Sequence, residues 1–439
     1  MIFGFGKKGH EADDSENDQE ERELVSFQGA LNGKEVDLKA NARLAQAGLI
    51  PAKELVTDAI ERRAEAARLE LKGERAQVTL YVDGVAYAGG KMVKPQAVAI
   101  TQMMKLLAGL DVKLRGKPQR GGLKSDLEGH PYEITVETAP LPDGSERLTL
   151  RLRDLKAKLN TPEELGFPPS VKAKLREISS KKRGLVLVAG PPGSGITTTV
   201  YAFLRGIDLF MYSAYTTVQM GSREVYNVTK FEPKEGDDAV ATMERMIRAE
   251  ADVIFVDPIT TPEAAKAICE VADRVCIIGE MPAKDAASAI VQLREWVGNP
   301  QLVADLIEGV YSQKLIRTLC TDCREAFRPN PKLLTKVGLP PETKVLYRKP
   351  EPQPDPKTGE LPEPCAKCGG SGYYGRAAIL ELITGSEEVR KLIASGASAD
   401  KIKEQARAEG MLTLPKDGLR LVSEGKTSLE ELQRAFKAT

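Results

Sequence analysis

Residues 184–205 read GLVLVAGPPGSGITTTVYAFLR and constrain the fold of this chain more than any other segment. LVLVAG is continuously apolar and β-branched, as expected for a strand buried on both faces of a parallel sheet, and TTTVYAFLRGI predicts the helix that follows it. Between them, Gly190, Gly193 and Gly195 allow the backbone to turn so that successive N–H groups point at phosphate oxygens. The segment therefore predicts an α/β domain with a phosphate-binding loop.

One residue of this loop departs from the chemistry of ATP hydrolysis. Ile196 stands where such a loop carries a lysine, whose ammonium reaches the β- and γ-phosphates and stabilises the charge that builds up as the bond breaks. A charge-assisted contact to phosphate contributes about 1.5–3 kcal/mol, so its loss alone would weaken nucleotide binding by roughly ten- to a hundredfold. We therefore expect weakened binding of ATP and magnesium.

The loop residues leave two questions open. Thr197 and Thr198 could ligate magnesium, or their hydroxyls could satisfy free N–H groups at the start of the helix. The loop could still bind phosphate, or it could persist because the fold needs its turn. The candidate nucleotide-binding residues are Gly190, Pro191, Pro192, Gly193, Ser194, Gly195, Ile196, Thr197 and Thr198.

Composition excludes several classes of protein. Lys plus Arg and Asp plus Glu number 63 each, so the overall charge gives no reason to expect a nucleic-acid partner. The sequence has no run of about 18 apolar residues and no signal peptide, so we expect a cytoplasmic protein whose membrane contacts are peripheral.

Changes in composition divide the chain into four parts. Residues 1–40 are predicted to be an acidic disordered tail and linker, since residues 11–23 are almost all acidic or polar. Residues 41–155 should form a small α+β domain and residues 156–319 the α/β domain with the loop. Residues 320–439 should hold a cysteine motif and C-terminal helices.

The small α+β domain is predicted to follow the order helix, hairpin, helix, hairpin. The spacing of apolar residues is helical from Leu24 to Glu70. Two alternating stretches then read as hairpins that turn at Asp83 and Asp143, and the amphipathic helix between them should end near Gly109.

Four of the six cysteines form two CxxC pairs about 40 residues apart. Each pair can present two thiolates to one ion, and four sulfur ligands leave no open coordination position, so the pattern predicts a structural zinc site. Cys269 and Cys276 lie in apolar stretches and are expected to pack in the core. The predicted zinc ligands are Cys320, Cys323, Cys365 and Cys368.

Several motifs along the chain point to one family. GLVLVAGPPGSG, TTTVY and the preceding LGFPPSVKAKLREI surround the loop. YVDGV, LLAGLDVKLRGKPQ and LPDGSERLTLRL lie before it, while the two CxxC pairs, GYYGR and GMLTLPKDGLRLVSEGKTSLEEL lie after it. In these motifs the chain after the acidic tail resembles the secretion and pilus-assembly ATPases, the motor proteins of type II secretion and type IV pili.

This resemblance implies a fold and an assembly. The implied fold is α/β, with a P-loop RecA-like domain preceded by a small α+β domain and followed by a zinc-bearing helical region. The family forms ATP-hydrolysing hexameric rings, so a homo- or hetero-oligomeric ring working with secretion or pilus components at the inner membrane is expected. The family's long N-terminal docking region is not expected, because little chain precedes residue 40.

The family's catalytic positions depart from its pattern when they are carried over one at a time. The lysine is Ile196, the glutamate that prepares the attacking water falls at Pro258, and the family histidine falls at Pro282. The adjacent glutamate and aspartate of the family's acidic box appear as Gln219 and Met220. The resemblance therefore implies that no intact catalytic set remains.

Some family features have partial substitutes. Of the arginines that reach nucleotide across the subunit interface, Arg115 is kept, Gly116 and Gly122 replace two others, and Arg120 could compensate at one position. Glu280 is a weak candidate for a spare general base. A further carboxylate, Asp257, could hold magnesium through water or could only cap its strand.

Three functional hypotheses follow. The first is an impaired or inactive family member that acts as a scaffold, regulator or hetero-oligomeric partner in a secretion or pilus assembly. The second is a working ATPase that borrows a lysine or arginine from a neighbouring subunit. The third is a switch that binds nucleotide without turning it over.

Overall fold

The computed structural model describes residues 22–437 except Lys158, Gln219, Gly221, Ser222 and Glu224. Most of the predicted acidic tail, and Gln219 of the acidic box, thus lie outside the described residues. The described chain divides into two compact units, one of residues 22–80 and 88–155 and the other of residues 81–87 and 156–437.

The first part of the chain forms a seven-stranded sheet and two helices. The elements are β1 (Ser26–Ala30), α1 (Ala42–Glu61), β2 (Ala66–Lys72), β3 (Arg75–Val82), β4 (Val85–Val93), α2 (Lys94–Leu107), β5 (Gln119–Leu127), β6 (His130–Pro140) and β7 (Glu146–Asp154). The strand order is β1-β5-β6-β7-β2-β3-β4. The helices approach each other closely at Gly48, where a Cβ atom would lie 2.6 Å from the carbonyl oxygen of Ala99.

Both predicted hairpins and the helix between them are confirmed. β3 and β4 are joined at Asp83 and Gly84, β6 pairs antiparallel with β7, and α2 ends two residues before Gly109, which has a φ of +70°. This left-handed conformation suits glycine and ends the helix there.

In this part of the chain the structure differs from the sequence analysis in two places. The segment 26–30, assigned to the tail and linker, forms β1 and pairs antiparallel with β5. The helical spacing read from Leu24 to Glu70 corresponds to a helix that ends at Glu61 and is followed by β2. β1 is short and partly exposed, and its partner lies far along the chain, so little local signal marks it as a strand.

The remaining chain forms a larger α/β sheet with its helices. The elements are α3 (Pro169–Ser179), β8 (Gly184–Gly190), α4 (Ile196–Gly206), β9 (Ala214–Thr216), β10 (Val228–Lys230), α5 (Ala239–Arg248), β11 (Val253–Phe255), α6 (Pro262–Val271), β12 (Cys276–Pro282), α7 (Ala286–Val297), α8 (Pro300–Leu306), β13 (Ile307–Leu319), β14 (Glu325–Phe327), α9 (Pro331–Val337), β15 (Leu346–Arg348), β16 (Tyr373–Thr384), α10 (Glu387–Ala394), α11 (Ala399–Ala408), α12 (Leu414–Ser423) and α13 (Leu429–Lys437).

The strand order in this sheet is β10-β9-β11-β12-β8-β13-β16. All neighbouring strands are parallel except β13 and β16. The carboxyl ends of β8, β11 and β12 therefore meet at one edge, which is where open α/β sheets bind ligands.

Both faces of this sheet are covered, which explains why β8 is continuously apolar. Leu185 and Leu187 pack on one face with residues of α6, α7 and α10. Val186 and Val188 pack on the other with residues of α3 and α4. A strand with helices on both sides has no solvent-facing positions for polar residues.

The predicted boundary at residue 319 also differs from the structure. β16 lies beyond it, yet pairs with β13 from Gly309↔Thr384 to Leu319↔Tyr373. Residues 320–439 therefore supply an edge strand of the larger sheet as well as helices, and a two-stranded sheet of β14 and β15. The partners β13 and β16 are separated by a long polar stretch, so local sequence reasoning assigned them to different domains.

Candidate functional site

The glycine-rich loop that is predicted to bind phosphate connects the buried strand β8 to helix α4, which is the strand–loop–helix order expected from the sequence. Gly193 and Gly195 have φ values of +82° and +83°, conformations that favour glycine. The turn is closed by a hydrogen bond from the N–H of Ser194 to the carbonyl oxygen of Pro191 (3.1 Å). Gly195 is the N-cap of α4, and no side chain caps the helix. Its first N–H groups are thus oriented to receive an anion.

The hydroxyl of Ser194 lies inside this loop. The side chain is 6% exposed, and its oxygen has no hydrogen-bond partner within the described residues. A Cβ atom on Gly190 would lie 2.4 Å from this oxygen and 2.9 Å from Cγ2 of Ile196, so position 190 must be glycine. A buried hydroxyl without a partner is unfavourable unless a ligand supplies one.

Ile196 cannot supply the positive charge of the lysine that the resemblance places at this position. Its side chain is half-buried and packs against the apolar cluster formed by β8, α3 and α4. Lys181 and Lys182 precede β8 and pair with Glu308 (2.5 Å) and Asp252 (2.9 Å). They lie at the amino end of the strand, so, as expected, they do not substitute for the missing cation.

Gln313 of β13 holds the loop in place, and sequence reasoning missed it. The side chain is 1% exposed. Its Nε2 donates to the carbonyl oxygen of Ser194 (2.6 Å) and its Oε1 accepts from Oγ1 of Thr199 (2.5 Å). One amide thus joins the loop to the first turn of α4. The only signal in the sequence was a pair of polar residues, Ser312 and Gln313, within the buried part of β13.

Glu280 lies beside the loop. It is on β12, where it pairs with Val188 of β8, and its Oε1 accepts a hydrogen bond from Oγ1 of Thr197 (3.1 Å). The hydroxyl of Thr197 is therefore directed at a carboxylate. This contact places Glu280 next to the position at which such loops bind magnesium.

A second carboxylate, Asp257, follows β11. Its side chain is exposed to solvent at the edge of the site, yet nearby protein atoms exclude enough water from the carboxyl to raise its pKa. The next residue is Pro258, so no side chain there can act as a base. β12 ends at Pro282, which pairs with Gly190, so the residue to which the resemblance assigns the family histidine adjoins the loop and has no titratable group.

Arg223 is a cation near the loop that sequence reasoning did not select. Its Nη1 lies 3.4 Å from Oγ1 of Thr198, and its guanidinium carbon is 5.5 Å from the centre of the Tyr201 ring. Burial, and then the positive charge of Arg223, lower the pKa of the neighbouring Arg205. Met220 of the acidic box is half-buried against the apolar cluster.

Arg115 lies in the first unit and lines a cavity of about 190 Å³. Lys94, Gln102 and Ser145 contribute to the same wall. Arg120, the possible substitute, is 3.6 Å from Glu137. Asp143 and Glu146 also line it, so the cavity places charges of both signs around Arg115 within its own unit.

The four predicted metal ligands converge. The Sγ atoms of Cys320, Cys323, Cys365 and Cys368 all lie within 4.8 Å of one another. Two of the separations are 4.0 Å (Cys320 to Cys365) and 3.6 Å (Cys323 to Cys368). Zinc–sulfur bonds of about 2.3 Å in a tetrahedron require sulfur separations of about 3.8 Å. The cluster therefore fits a tetrahedral ion and could hold zinc.

The surroundings of the cluster favour a thiolate at Cys368. Burial opposes ionisation, but hydrogen bonds from the N–H of Gly372 and from neighbouring thiols outweigh it and lower the pKa of Cys368 to about 7. Backbone N–H donation to a ligand sulfur is a usual outer-shell feature of such centres. The separate Cys269 and Cys276 are buried, as expected, and burial raises the pKa of each to about 12.

None of the helices within the described residues is long and apolar enough to cross a membrane.

Two solved structures resemble this fold. The X-ray structure of the Legionella pneumophila ATPase DotB matches with a TM-score of 0.54 at 14% identity, covering 88% of this chain and 95% of that one. The crystal structure of the pilus retraction motor PilT with bound ADP matches with a TM-score of 0.50 at 18% identity, covering 87% and 96%. The predicted α/β fold class is confirmed.

Sequence comparisons identify relatives and a family. The chain is 31% identical over 387 residues to the type IV pilus assembly ATPase PilB of Thermus thermophilus, covering 87% of this chain but only 42% of that protein. It is 29% identical over 387 residues to the type II secretion system protein HxcR of Pseudomonas aeruginosa, covering 87% and 76%. Residues 45–434 match the family model described as "Type II/IV secretion system protein". The chain therefore belongs to the type II/IV secretion system protein family.

Proposed function

We propose that this chain has lost efficient ATP hydrolysis and acts as a scaffold or regulatory subunit of a secretion or pilus assembly. The environment of Ile196 carries the proposal. An alkyl group packed against an apolar cluster occupies the position that supplies the catalytic cation. Lys181 and Lys182 are engaged at the other end of β8.

The loss extends beyond one residue. Phosphoryl transfer depends on positioning and on stabilising developing charge, and removing a single such donor typically lowers the rate by about a hundred- to a thousandfold. Pro258 and Pro282 occupy the positions to which the resemblance assigns a glutamate and a histidine. A proline side chain can neither accept nor donate a proton. Several simultaneous losses favour the interpretation that the reaction was abandoned over the interpretation that other residues compensate.

The assembly is proposed from the family. Relatives bear the names of pilus assembly and secretion ATPases, and the retained fold offers the same scaffold. We place this chain in a ring, a homo- or hetero-hexamer, on the cytoplasmic side of the inner membrane. In a mixed ring an inactive member would modulate or cap active subunits.

Hydrolysis by the purified chain tests the proposal. We expect no phosphate release above background, and none in Ile196→Lys, because the added lysine does not restore the other groups. Ile196→Lys should bind nucleotide roughly tenfold more tightly, since it regains a charge-assisted contact. Ile196→Leu controls for repacking and should leave affinity unchanged. Robust turnover by the unmodified chain would refute the proposal and favour a cation borrowed from a neighbouring subunit.

A second candidate function is a switch that binds nucleotide without turnover. The observation that favours it is the buried hydroxyl of Ser194 inside an uncapped loop, because a loop kept only for its turn has no need of an unsatisfied polar group there. Nucleotide binding by the unmodified chain without phosphate release would support this candidate.

For the cysteine cluster we propose a structural zinc ion. Four thiol ligands leave no position for a substrate or an activated water. The ion would join the two CxxC pairs where residues 320–372 leave and re-enter the sheet, while Leu334, Leu339 and Leu346 of this segment pack in an apolar cluster with the C-terminal helices.

A further inference from the structure

We infer that Lys284 supplies the positive charge for the phosphates of a nucleotide bound at the glycine-rich loop, a charge that the neutral Ile196 cannot provide. Lys284 has this role only if the loop still binds a nucleotide, so the inference rests on the second candidate under the proposed function. It adds the residue that contacts the phosphates and gives a reason why a loop without its own lysine retains a ligand.

The loop keeps the features that bind a phosphate group. Gly193 and Gly195 have left-handed conformations, and no side chain caps helix α4, so its first N–H groups are available to an anion. The Ser194 hydroxyl is buried within the loop and has no partner among the described residues. The uncapped helix and the unsatisfied buried hydroxyl are two independent signs of a ligand at this place.

Lys284 follows the strand that borders this loop. Pro282, at the end of β12, pairs with Gly190 at the end of β8, and the N–H of Ala283 donates to the carbonyl oxygen of Gly190 at 3.2 Å. A Cβ atom on Gly190 would lie 2.9 Å from Cγ2 of Ile196. The backbone that carries Lys284 therefore adjoins the residue beside Ile196, at the edge of the sheet where open α/β folds bind ligands.

The ammonium of Lys284 is not engaged by another group. Its side chain is exposed and makes no hydrogen bond or ion pair within the part of the chain that the structure describes. Two carboxylates lie nearby, because Asp285 is the next residue and Glu381 accepts from the N–H of Ala286 at 3.1 Å. Lys403 pairs with both of them, at 3.1 and 3.3 Å. Another lysine thus takes the partners that would otherwise hold Lys284.

The charge of Lys284 also acts on β13, the strand that holds the loop. Lys314 follows Gln313, whose amide bonds the Ser194 carbonyl oxygen. Burial lowers the pKa of the Lys314 ammonium; the Glu381 carboxylate opposes this shift, and the charge of Lys284 adds to it. β8 and its loop lie between β12 and β13. A phosphate in the loop is therefore within range of the same charge, and the flexible lysine stem lets the ammonium turn towards it.

Binding and turnover are separable at such a site. One ammonium supplies a charge-assisted contact to phosphate. Hydrolysis also requires the groups that the resemblance assigns to the positions of Pro258 and Pro282, and Lys284 replaces neither of them. A cation at this place therefore suits a site that holds a nucleotide without cleaving it.

Calorimetry with ADP on the full chain tests the role of Lys284. We expect the unmodified chain to bind ADP and Lys284→Gln to bind it about tenfold more weakly, the effect of losing one charge-assisted contact. Lys284→Arg keeps the charge and should bind within about threefold of the unmodified chain. Adding Ile196→Lys to Lys284→Gln should tighten binding about tenfold, because it returns a cation to the same phosphates.

Lys336→Gln is the matched control. Lys336 is also exposed and has no ion pair within the described residues, but it lies in the last turn of α9, whose Leu334 packs with the C-terminal helices. This variant removes the same charge and should leave ADP affinity unchanged. Thermal melting should confirm that each variant is folded. If Lys284→Gln is unstable, Lys284→Met replaces it, since methionine keeps most of the apolar stem.

Several results would overturn the inference. It fails if the unmodified chain does not bind ADP, if Lys284→Gln binds ADP as tightly as the unmodified chain, or if Ile196→Lys does not restore binding to Lys284→Gln. It also fails if Lys284→Arg is as weak as Lys284→Gln, or if Lys336→Gln is weakened equally. Phosphate release from ATP would refute the proposed loss of hydrolysis without changing these affinities, so the two failures are distinguishable.

Discussion

The amide of Gln313 should determine whether the phosphate loop keeps its shape. Gln313→Leu has a similar volume but removes a donor to the Ser194 carbonyl oxygen (2.6 Å) and an acceptor for the Thr199 hydroxyl (2.5 Å). Both contacts are buried, and a buried polar group left without a partner costs about 1–3 kcal/mol. With two such groups, we expect the free energy of unfolding to fall by about 2–6 kcal/mol.

Urea unfolding followed by tryptophan fluorescence measures this loss. The single tryptophan, Trp296, packs against the apolar cluster on one face of the same sheet. Gln301→Leu is the control, since its Nε2 bonds Asp305 at the exposed surface (2.9 Å). It should change stability by no more than about 0.5 kcal/mol.

A double-mutant cycle with Thr199→Val isolates one of the two bonds. In the Thr199→Val background, Gln313→Leu should lower the free energy of unfolding by about 1 kcal/mol less than it does in the unmodified chain. A loss below about 0.5 kcal/mol for Gln313→Leu, or strict additivity with Thr199→Val, would show that the amide does not hold the loop.

Two further predictions concern the C-terminal region. Elemental analysis should show that Cys320→Ser loses bound zinc, whereas Cys276→Ala should retain the metal. Equal zinc content in the two variants would exclude the cluster as the site. Burial alone would raise the pKa of the Glu431 carboxyl, but hydrogen bonds from Arg434 and Arg317 hold it below its ordinary value of 4.5. The ionised Glu431 carboxylate should therefore contribute fully to the free energy of unfolding above pH 4.5. This contribution should be lost as the pH falls through the lowered pKa of Glu431. Glu431→Gln should be less stable at pH 7 by about 3 kcal/mol, because a buried ion pair is broken, with a shallower acid transition; an acid transition as steep as that of the unmodified chain would contradict this account.

The loop and the cysteine cluster could be predicted because their signals are local. A β-branched run, three glycines and a helical pattern lie within 184–205 and specify one turn together. Each CxxC pair likewise determines its own geometry, and only the meeting of the pairs depends on the fold. These features were expected from sequence and are present in the structure.

The missed features depend on residues that meet only after folding. β1 and β16 owe their strand conformation to partners far along the chain. Gln313 lies more than a hundred residues from the loop it holds. The contact of Glu280 with Thr197 required knowing that β12 lies next to β8. No periodicity in the sequence encodes such neighbours.

The pairing of β13 with β16 determines how residues 320–372, which carry the four cysteines, are attached to the larger sheet. Leu319 and Tyr373 are partners in the same ladder. Residues 320–372 therefore form an insertion that leaves the sheet and returns to it at one point. The segment is also held by packing, because its Leu334, Leu339 and Leu346 lie in one apolar cluster with residues of β13, β16, α12 and α13. Loss of the metal would therefore disturb this cluster as well as the segment itself, and the cluster includes Ile316 of β13, the strand that carries Gln313.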